Sequence, residues 1–450
     1  MNLHKAPNTR FLLILLPVFG SFVLFYSLAT PLFEAPDEVW HYAYVRWLAE
    51  GHGLPALDDA AASGANQEVA QPPLYYGVAA LFSAPFADDD LSDLFWHNPN
   101  FGYQAPTDRP DNKNMLIHTV REAWPWRGAV LAVRMTRLAS LFFGMLAVVA
   151  AYGLALETLS SPRAACWAAL LVALTPQFLF ISGVVSNDSA AAALATATLW
   201  ALARALKRGF TVRRSLLVGA LIGVAALAKV SNLALGGLAV LALLYADVSA
   251  RRTTTPRLTE RLDPRRFRLL KPLLALGLAA LLTGGWWYAR NLLLYADPLA
   301  LHSHTAQPWA RPEPASLALL LAELPTVYRS FWGAFGWGHV EFAPWIYWLL
   351  ALLPLTSLAG WLWTLKTRRA PGNPPLLGLA AMWCALVGGA FLVWLRTLGA
   401  AHGRLLFPAL GALAVLLVAG WEGLRTSEKA NKRENGSADQ RMSESPPTPP

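Results

Sequence analysis

The sequence predicts an all-α polytopic membrane protein with about ten transmembrane helices. Hydrophobic residues make up 55% of its 450 residues and charged residues only 14%, a balance too apolar for a soluble protein of this length. Several apolar runs reach the roughly 20 residues that a helix needs to cross a hydrocarbon layer of about 30 Å. The formal net charge of +9 comes from residues in short segments between these runs, which indicates orientation in a membrane rather than nucleic-acid binding.

Ten apolar runs are the predicted spanning helices. The first run is long for a signal peptide, and no small-residue cleavage site follows it, so we expect it to be retained. Both cysteines, Cys166 and Cys384, lie inside apolar runs and suggest neither a disulfide framework nor a metal site. The runs lie near residues 11–30, 134–156, 164–184, 189–206, 215–229, 232–247, 272–289, 345–364, 374–396 and 405–421.

The distribution of lysine and arginine predicts the orientation. With a cytoplasmic N-terminus, the segments on the cytoplasmic side contain 24 of the 37 lysine and arginine residues. The positive-inside rule then places both termini in the cytoplasm and the loops 31–133 and 290–344 on the outer face of the inner or plasma membrane. The membrane domain spans residues 1–421, and we expect the polar tail, residues 422–450, to be disordered.

Three segments of the outer loops are predicted to be interfacial helices. Residues 36–50 have helical character, with Pro36 suited to a first helical turn. Residues 71–86 and 315–332 are apolar but too short or too interrupted by proline to span. Because Trp and Tyr are frequent at membrane surfaces, we expect these segments to form a lid along the interface.

Acidic residues in two outer turns are candidates for chemistry. Asp37 and His41, in FEAPDEVWHYAYV, would share one face of a helix that opens at Pro36, where they could activate a hydroxyl. An acidic first turn that complements the helix dipole explains the pattern equally well. Asp188, in SNDS between the third and fourth helices, could face the same cavity or simply belong to a polar turn.

Cations at the outer helix ends form a second candidate group. Lys229, Arg290, Arg396 and Arg404 could bind the phosphate of a lipid substrate, extend to lipid headgroups, or form ion pairs with the acidic loop.

The sequence supports no metal site. Four outer residues raise the question, but their spacing fixes no ligand set, and solvated loop residues are the favoured interpretation. They are His302, His304, His339 and Glu341. A divalent metal is therefore unsupported, no cofactor is predicted, and the absence of a nucleotide-binding motif argues against a soluble sugar-nucleotide donor.

In their order along the chain, these motifs resemble those of GT-C superfamily glycosyltransferases. The resemblance is to the branch that contains protein O-mannosyltransferases, lipid A aminoarabinose transferases and related bacterial membrane proteins. The matching stretches are APDEVWHYAYV, QPPLYY, RLASLFFGMLAVVAAYGLA, TPQFLFISGVVSNDSAAAALAT, ALAKVS, WWYARNLLLYADPL and HGRLLFP.

The resemblance implies an inverting cell-envelope transferase that takes a sugar from a polyprenyl-phosphate carrier on the outer face of the membrane. The acceptor would be an unidentified glycan, lipid or protein. Asp37 matches the catalytic carboxylate, Glu38 is its motif neighbour, and Asp188 matches a second acidic site. The implied phosphate-binding residues are Lys229, Arg290, Arg404 and His41, the last standing near where the aminoarabinose branch has an arginine. Gln71 also departs from the lysine or histidine that precedes the paired prolines in relatives.

Two alternatives to an enzyme stay open at this point. One is a transporter or flippase of lipid-linked glycans, and the other is a non-catalytic membrane assembly partner. Transporters carry charges near the membrane centre and use broken helices or internal repeats. Here the predicted helix centres are nearly free of charge and the polar residues gather at one face, which favours chemistry at the surface.

Overall fold

The structure is a computed structural model, and it describes residues 9–103, 109–253, 269–301, 307, 309–368 and 370–425. Almost all of its regular structure is helical. A π-helical turn, Leu281–Gly285, interrupts one long helical stretch. Two short strands, β1 (Ala334–Phe335) and β2 (Val340–Glu341), pair antiparallel. The helices are α1 (Thr9–Ala29), α2 (Glu38–Ala49), α3 (Ala60–Ser63), α4 (Leu74–Ser83), α5 (Gly128–Leu159), α6 (Pro162–Ala173), α7 (Pro176–Ser182), α8 (Asp188–Arg208), α9 (Val212–Ala226), α10 (Ala234–Thr253), α11 (Leu270–Ala280), α12 (Trp286–Tyr295), α13 (Leu317–Trp332), α14 (Pro344–Thr367), α15 (Pro374–Thr397) and α16 (Gly403–Arg425).

The predicted class, an all-α polytopic membrane protein, is confirmed. Within the described residues, eight helical stretches are long and apolar enough to cross a membrane: α1, α5, α8, α10, α11 with α12, α14, α15 and α16. The pair α6 and α7 would make a ninth span, bent by 64°. The bend falls at Thr175–Pro176, because proline lacks the N–H of a continuing helix and disfavours helical geometry in the residue before it.

Two helices differ from their predicted lengths. The fifth predicted run is α9, whose 15 residues extend only about 22 Å, so the chain turns before it crosses a full bilayer. The second spanning helix, α5, has 32 residues and begins at Gly128, so the loop predicted to end at residue 133 ends at residue 127.

The described parts of segments 30–127 and 296–343 lie together at one end of the bundle, and we call them the cap. The three predicted interfacial segments are helical there, as α2, α4 and α13. A hydrogen bond of 2.7 Å from Lys113 Nζ to the carbonyl oxygen of His339 joins the two segments. The Leu74 amide donates to the carbonyl oxygen of Leu227 at 3.0 Å and ties α4 to the bundle.

Small residues bring the helices of the bundle close together. The first turns of α8 are a run of buried alanines, Ala190 to Ala193, which pack beside α5. Between α14 and α16, a Cβ on Gly360 would overlap the carbonyl oxygen of Gly420. This close approach helps to position α16, the helix whose first turn reaches the cap.

Some predicted features lie outside the described residues. They are His302, His304 and most of the tail, residues 426–450.

Candidate active site

Asp37 lies where the cap meets the bundle, immediately before α2. The helix begins at Glu38 and not at Pro36 as expected, because Asp37 has a left-handed backbone with φ of 66°. Aspartate is among the few non-glycine residues that tolerate this conformation. Its carbonyl oxygen accepts the amides of Trp40 and His41 at 3.0 and 2.9 Å, so the residue is fixed by the helix that follows. The Asp37 side chain is 28% exposed and can meet a ligand.

Arg404 joins Asp37 to Asp188. Its Nη1 donates to Asp188 Oδ2 at 2.9 Å, and its Nη2 donates to Asp37 Oδ2. The Arg404 side chain is 7% exposed and that of Asp188 is fully buried. A guanidinium presents its donors in a rigid fork, which allows one side chain to hold both carboxylates.

The first turn of α16, a 3₁₀ helix over Gly403–Ala409, sets the position of Arg404. The Gly403 amide donates to Ser330 Oγ of α13 at 2.8 Å. A Cβ on Gly403 would overlap the backbone of Val327 and Phe331. Glycine is therefore required at this contact, and it places the next residue over the site.

Lys229 is the second cation of the site. It follows the short helix α9, and its Nζ pairs with Asp188 Oδ1. Asp188 is the first residue of α8, where the unpaired amides and the helix dipole favour a negative charge. Because Lys229 holds one oxygen and Arg404 the other, Asp188 anchors both cations.

His41 belongs to a buried polar group with Glu68 and Tyr76. The His41 Nδ1 atom lies 2.8 Å from Tyr76 Oη and 3.2 Å from Glu68 Oε2. Tyr76 Oη also donates to Glu68 Oε2 at 3.0 Å, and Gln67 Nε2 donates to the other Glu68 oxygen at 3.4 Å. His41 and Glu68 are each more than nine-tenths buried.

Burial and charge set the protonation of these cap residues. Burial raises the pKa of Asp37, but the charge and hydrogen bond of Arg404, together with the neighbouring histidines, lower it below its ordinary value. Burial lowers the pKa of His41 to about 4. Burial, together with the Asp37 charge, raises the pKa of Glu68 to about 8. At neutral pH Asp37 is therefore ionised and His41 is uncharged, so His41 could contact a phosphate only as a neutral hydrogen-bond donor.

Glu38, predicted to act beside Asp37, is fully buried and bound on both oxygens by protein groups. Arg137 Nε and Nη2 each donate to it at 2.8 Å. The amides of Val185 and Phe33 donate at 2.9 and 3.0 Å. This arrangement joins α2 to α5 and to the turn before α8, and it anchors the segment that carries Asp37.

Arg290 lies in α12, at the edge of the cap. Its Nη2 donates to the carbonyl oxygen of Pro55 at 2.8 Å, and its guanidinium stacks 4.9 Å from the ring centroid of Trp287. Within the described chain, no hydrogen bond or ion pair joins Arg290 to Asp37 or Asp188. Its observed contacts hold a cap loop against the bundle.

Two residues of the site region were missed in the sequence: Glu68, which is buried, and His402, which is half-buried. Glu68 lies three residues before Gln71 of the QPPLYY motif, and His402 lies two residues before Arg404 in HGRLLFP. Burial, with the Arg404 charge, lowers the pKa of His402 to about 4. Both residues lie beside or within motifs quoted above, and this was the available signal. Their spacing from other polar residues does not indicate a particular chemistry.

Among the described residues, potential metal ligands converge at the site. His339 Nδ1 lies 2.8 Å from the carbonyl oxygen of Asn112, whereas Glu341 pairs with Arg329 at 3.2 Å. In the described part of the chain, one group of three offers ligand atoms that all lie within 4.8 Å of one another: Asp37, His41 and Glu68.

Together, the bundle, the cap and the buried acidic–basic cluster define a polytopic membrane protein with a polar site at one end of its helices. Residues 128–259 match the family model described as dolichyl-phosphate-mannose-protein mannosyltransferase. This match covers Asp188 and Lys229 but less than a third of the chain. No curated protein matches the sequence significantly.

Solved structures of ArnT share the fold. ArnT from Cupriavidus metallidurans bound to undecaprenyl phosphate is similar with a TM-score of 0.53 and 16% identity, over 91% of this chain and 59% of ArnT. Its apo state gives 0.51 and 15% over the same shares. The archaeal oligosaccharyltransferase AglB from Archaeoglobus fulgidus gives 0.44 and 13%, over 97% of this chain and 52% of AglB. The chain spans about three-fifths of the length of ArnT. The likeness to ArnT confirms the predicted GT-C fold.

Proposed function

We propose that the protein is a glycosyltransferase that moves a sugar from a polyprenyl-phosphate carrier to an acceptor. The description of the matching family and the undecaprenyl phosphate bound to ArnT support this class of donor. The observation that carries the proposal is the ionic cluster in which Arg404 bridges Asp37 and Asp188 while Lys229 holds Asp188. It combines an ionised, partly exposed carboxylate with two cations at one end of a membrane bundle.

In this proposal Asp37 is the catalytic base. The acceptor hydroxyl gives its proton to Asp37 as its oxygen attacks the anomeric carbon, and the bond from that carbon to the carrier phosphate breaks. Arg404 and Lys229 neutralise the charge that develops on the departing phosphate. A single displacement of this kind inverts the anomeric configuration.

Donor binding would prepare the base. In the described structure one Asp37 oxygen is occupied by Arg404. A carrier phosphate that takes part of the Arg404 fork would loosen this contact and free Asp37 for the acceptor. Asp188 would keep both cations in place during the exchange, and Glu38 would act as a positioning residue through Arg137.

The orientation belongs to the same proposal. We place the cap and the site on the outer face of the inner or plasma membrane, with both termini in the cytoplasm. The concentration of 24 of the 37 lysine and arginine residues in the opposite segments supports this orientation.

The first test replaces the base and keeps its shape. Asp37→Asn should lower transfer from a radiolabelled polyprenyl-phosphate sugar by about 10²–10⁴-fold, because an amide cannot accept the proton. Binding of the donor, measured separately, should persist because Arg404 and Lys229 remain.

Asp58→Asn is the matched control, since Asp58 is an exposed aspartate of the same cap segment. It should transfer sugar as the wild type does. Undiminished transfer by Asp37→Asn would remove Asp37 from the mechanism.

A lipid-linked glycan flippase is the second candidate, and the 64° bend between α6 and α7 favours it, because transporters use broken helices. The two candidates differ in one result. Flipping of a fluorescent lipid-linked glycan in vesicles, with no sugar transferred to any acceptor and no effect of Asp37→Asn, would favour the flippase.

A further inference from the structure

We propose that Asp37, His41 and Glu68 form a binding site for one divalent cation. Their ligand atoms all lie within 4.8 Å of one another. Atoms that share one ion at about 2.1 Å can be no more than about 4.2 Å apart, so only a small closure of the group is needed. Two segments of the cap supply the ligands, the start of α2 and the turn before the QPPLYY motif.

The burial of Glu68 is the first argument for a cation. Its side chain is 5% exposed, and its hydrogen-bonding partners are uncharged groups of Tyr76 and Gln67, beside the His41 ring. A carboxylate removed from water requires a counter-charge or a proton. The two nearest cations, Lys229 and Arg404, are already paired with Asp188 and Asp37.

The second argument is an unpaired oxygen beside the same carboxylate. Gln67 is 5% exposed, and its Oε1 atom is buried without a hydrogen-bonding partner. The nitrogen of the same amide lies 3.4 Å from Glu68 Oε1. A buried carbonyl oxygen without a donor is uncommon in proteins, and a cation at this place, or water bound to it, would supply the missing partner.

The ligand chemistry indicates which ions fit. One imidazole and two carboxylates suit Mn²⁺ or Zn²⁺, whereas Mg²⁺ and Ca²⁺ prefer sites made of oxygen alone. The partial exposure of Asp37 leaves a direction from which an ion and a substrate oxygen can enter.

The site also balances the charge expected during the proposed transfer, and in this respect the inference rests on the proposed function. With Glu68 ionised, its charge and those of Asp37 and Asp188 exceed those of Arg404 and Lys229 by one. A divalent cation together with the single negative charge of a carrier phosphodiester makes the assembly neutral. Such neutrality favours binding of both at a buried site.

The test uses the full-length protein in detergent, treated with EDTA, freed of chelator and titrated with Mn²⁺. Loss of the free Mn²⁺ signal in electron paramagnetic resonance measures binding. We expect one saturable Mn²⁺ per chain. Glu68→Gln and His41→Gln should each weaken binding roughly tenfold or more, because each removes a ligand. Glu313→Gln and His97→Gln, which change exposed residues of the same types in the cap, should bind as the wild type does.

Two results would overturn the site: no saturable binding by the wild type, or wild-type affinity in both ligand variants. The first result is obtained with the wild type alone, so misfolding of a variant cannot affect it. Absence of binding would mean that a proton neutralises Glu68. Sugar transfer is measured separately. Transfer without Mn²⁺ binding removes the metal site alone, and binding without transfer removes the proposed function alone.

Discussion

At the scale of single residues, the shape of Arg404 matters as much as its charge. One guanidinium contacts Asp37 and Asp188 through different nitrogens, so it fixes the distance between the two carboxylates. A lysine ammonium is a compact charge and lacks the rigid fork. The site therefore depends on a geometry that only arginine supplies.

Arg404→Lys should consequently lower kcat/KM for the donor on the order of 10²-fold, although the formal charge is unchanged. The expected cause is poorer stabilisation of the leaving phosphate together with a displaced Asp37. Steady-state kinetics with varied polyprenyl-phosphate sugar measure the effect.

Arg290→Lys is the control for this prediction. Arg290 holds the carbonyl oxygen of Pro55 and stacks on Trp287, apart from the cluster. It should change donor kinetics little while loosening the cap loop. A larger loss of kcat/KM in Arg290→Lys than in Arg404→Lys would contradict this prediction. It would indicate that Arg290 binds the phosphate, as the family resemblance implies.

Sequence reasoning reached part of this site. Asp37, Asp188, Lys229 and Arg404 were selected from separate motifs, and the structure brings them into one cluster. The contacts of His41 could not be read from spacing, because they depend on residues of another segment. Glu68 is 27 residues from His41 along the chain, and the packing of the turn Asn66–Ala70 against α2 brings the two together.

At the scale of elements, apolar runs located the helices because a bilayer demands about 20 residues in each span. The ends of helices were less predictable. Pro36 suggested a helix start, but the left-handed backbone of Asp37 moves it to Glu38. The third run was predicted as one helix, and the bend at Pro176 was not expected, because its size depends on how α7 packs.

The contact between α16 and α13 is the element on which Arg404 depends. Gly403→Ala would force the first turn of α16 away from the α13 backbone at Val327 and Phe331. Overpacking of this kind costs roughly 1–3 kcal/mol, and here it also shifts the bridging guanidinium. We expect a lower melting temperature in detergent and a loss of transfer larger than the loss of folded protein.

Gly389→Ala provides the matched control. Gly389 lies in α15, and a Cβ there meets no atom within 4 Å. Replacing glycine by alanine in a helix gains about 0.5–1 kcal/mol where there is space. Gly389→Ala should therefore melt no lower than the wild type and transfer normally. Equal behaviour of the two variants would argue against the close contact at Gly403.

At the scale of the whole molecule, a polar contact inside the cap joins the two ends of segment 30–127, which lead from α1 and into α5. His118 lies between Glu34 and Glu122, with its Nε2 atom 3.0 Å from Glu34 Oε1 and its Nδ1 atom 2.5 Å from Glu122 Oε1. Glu34 also accepts the amides of Met115 and Leu116. These contacts fasten the far end of segment 30–127 to the turn that leads into Asp37. No sequence pattern predicted the contact between His118 and Glu34, because these two residues are 84 positions apart.

This attachment predicts a pH dependence of stability. Burial lowers the pKa of His118, but hydrogen bonds to Glu122 and Glu34 outweigh burial and raise it to about 9 from an ordinary value of 6.5. Because the folded pKa lies above the unfolded one, the contribution is complete below about pH 6.5 and disappears as the pH rises through about 9. The shift corresponds to a contribution on the order of 3 kcal/mol.

His118→Gln should therefore melt well below the wild type at pH 6 and nearly with it at pH 9.5, whereas exposed His97→Gln should match the wild type at both values. Burial raises the pKa of Glu122, but the hydrogen bond and the charge of His118 outweigh it and leave this pKa below the ordinary value of 4.5. This part of the attachment therefore weakens as the pH falls below 4.5. A melting difference between wild type and His118→Gln that stays constant from pH 6 to 9.5 would contradict an ionised clamp and leave only a neutral hydrogen bond to hold the cap.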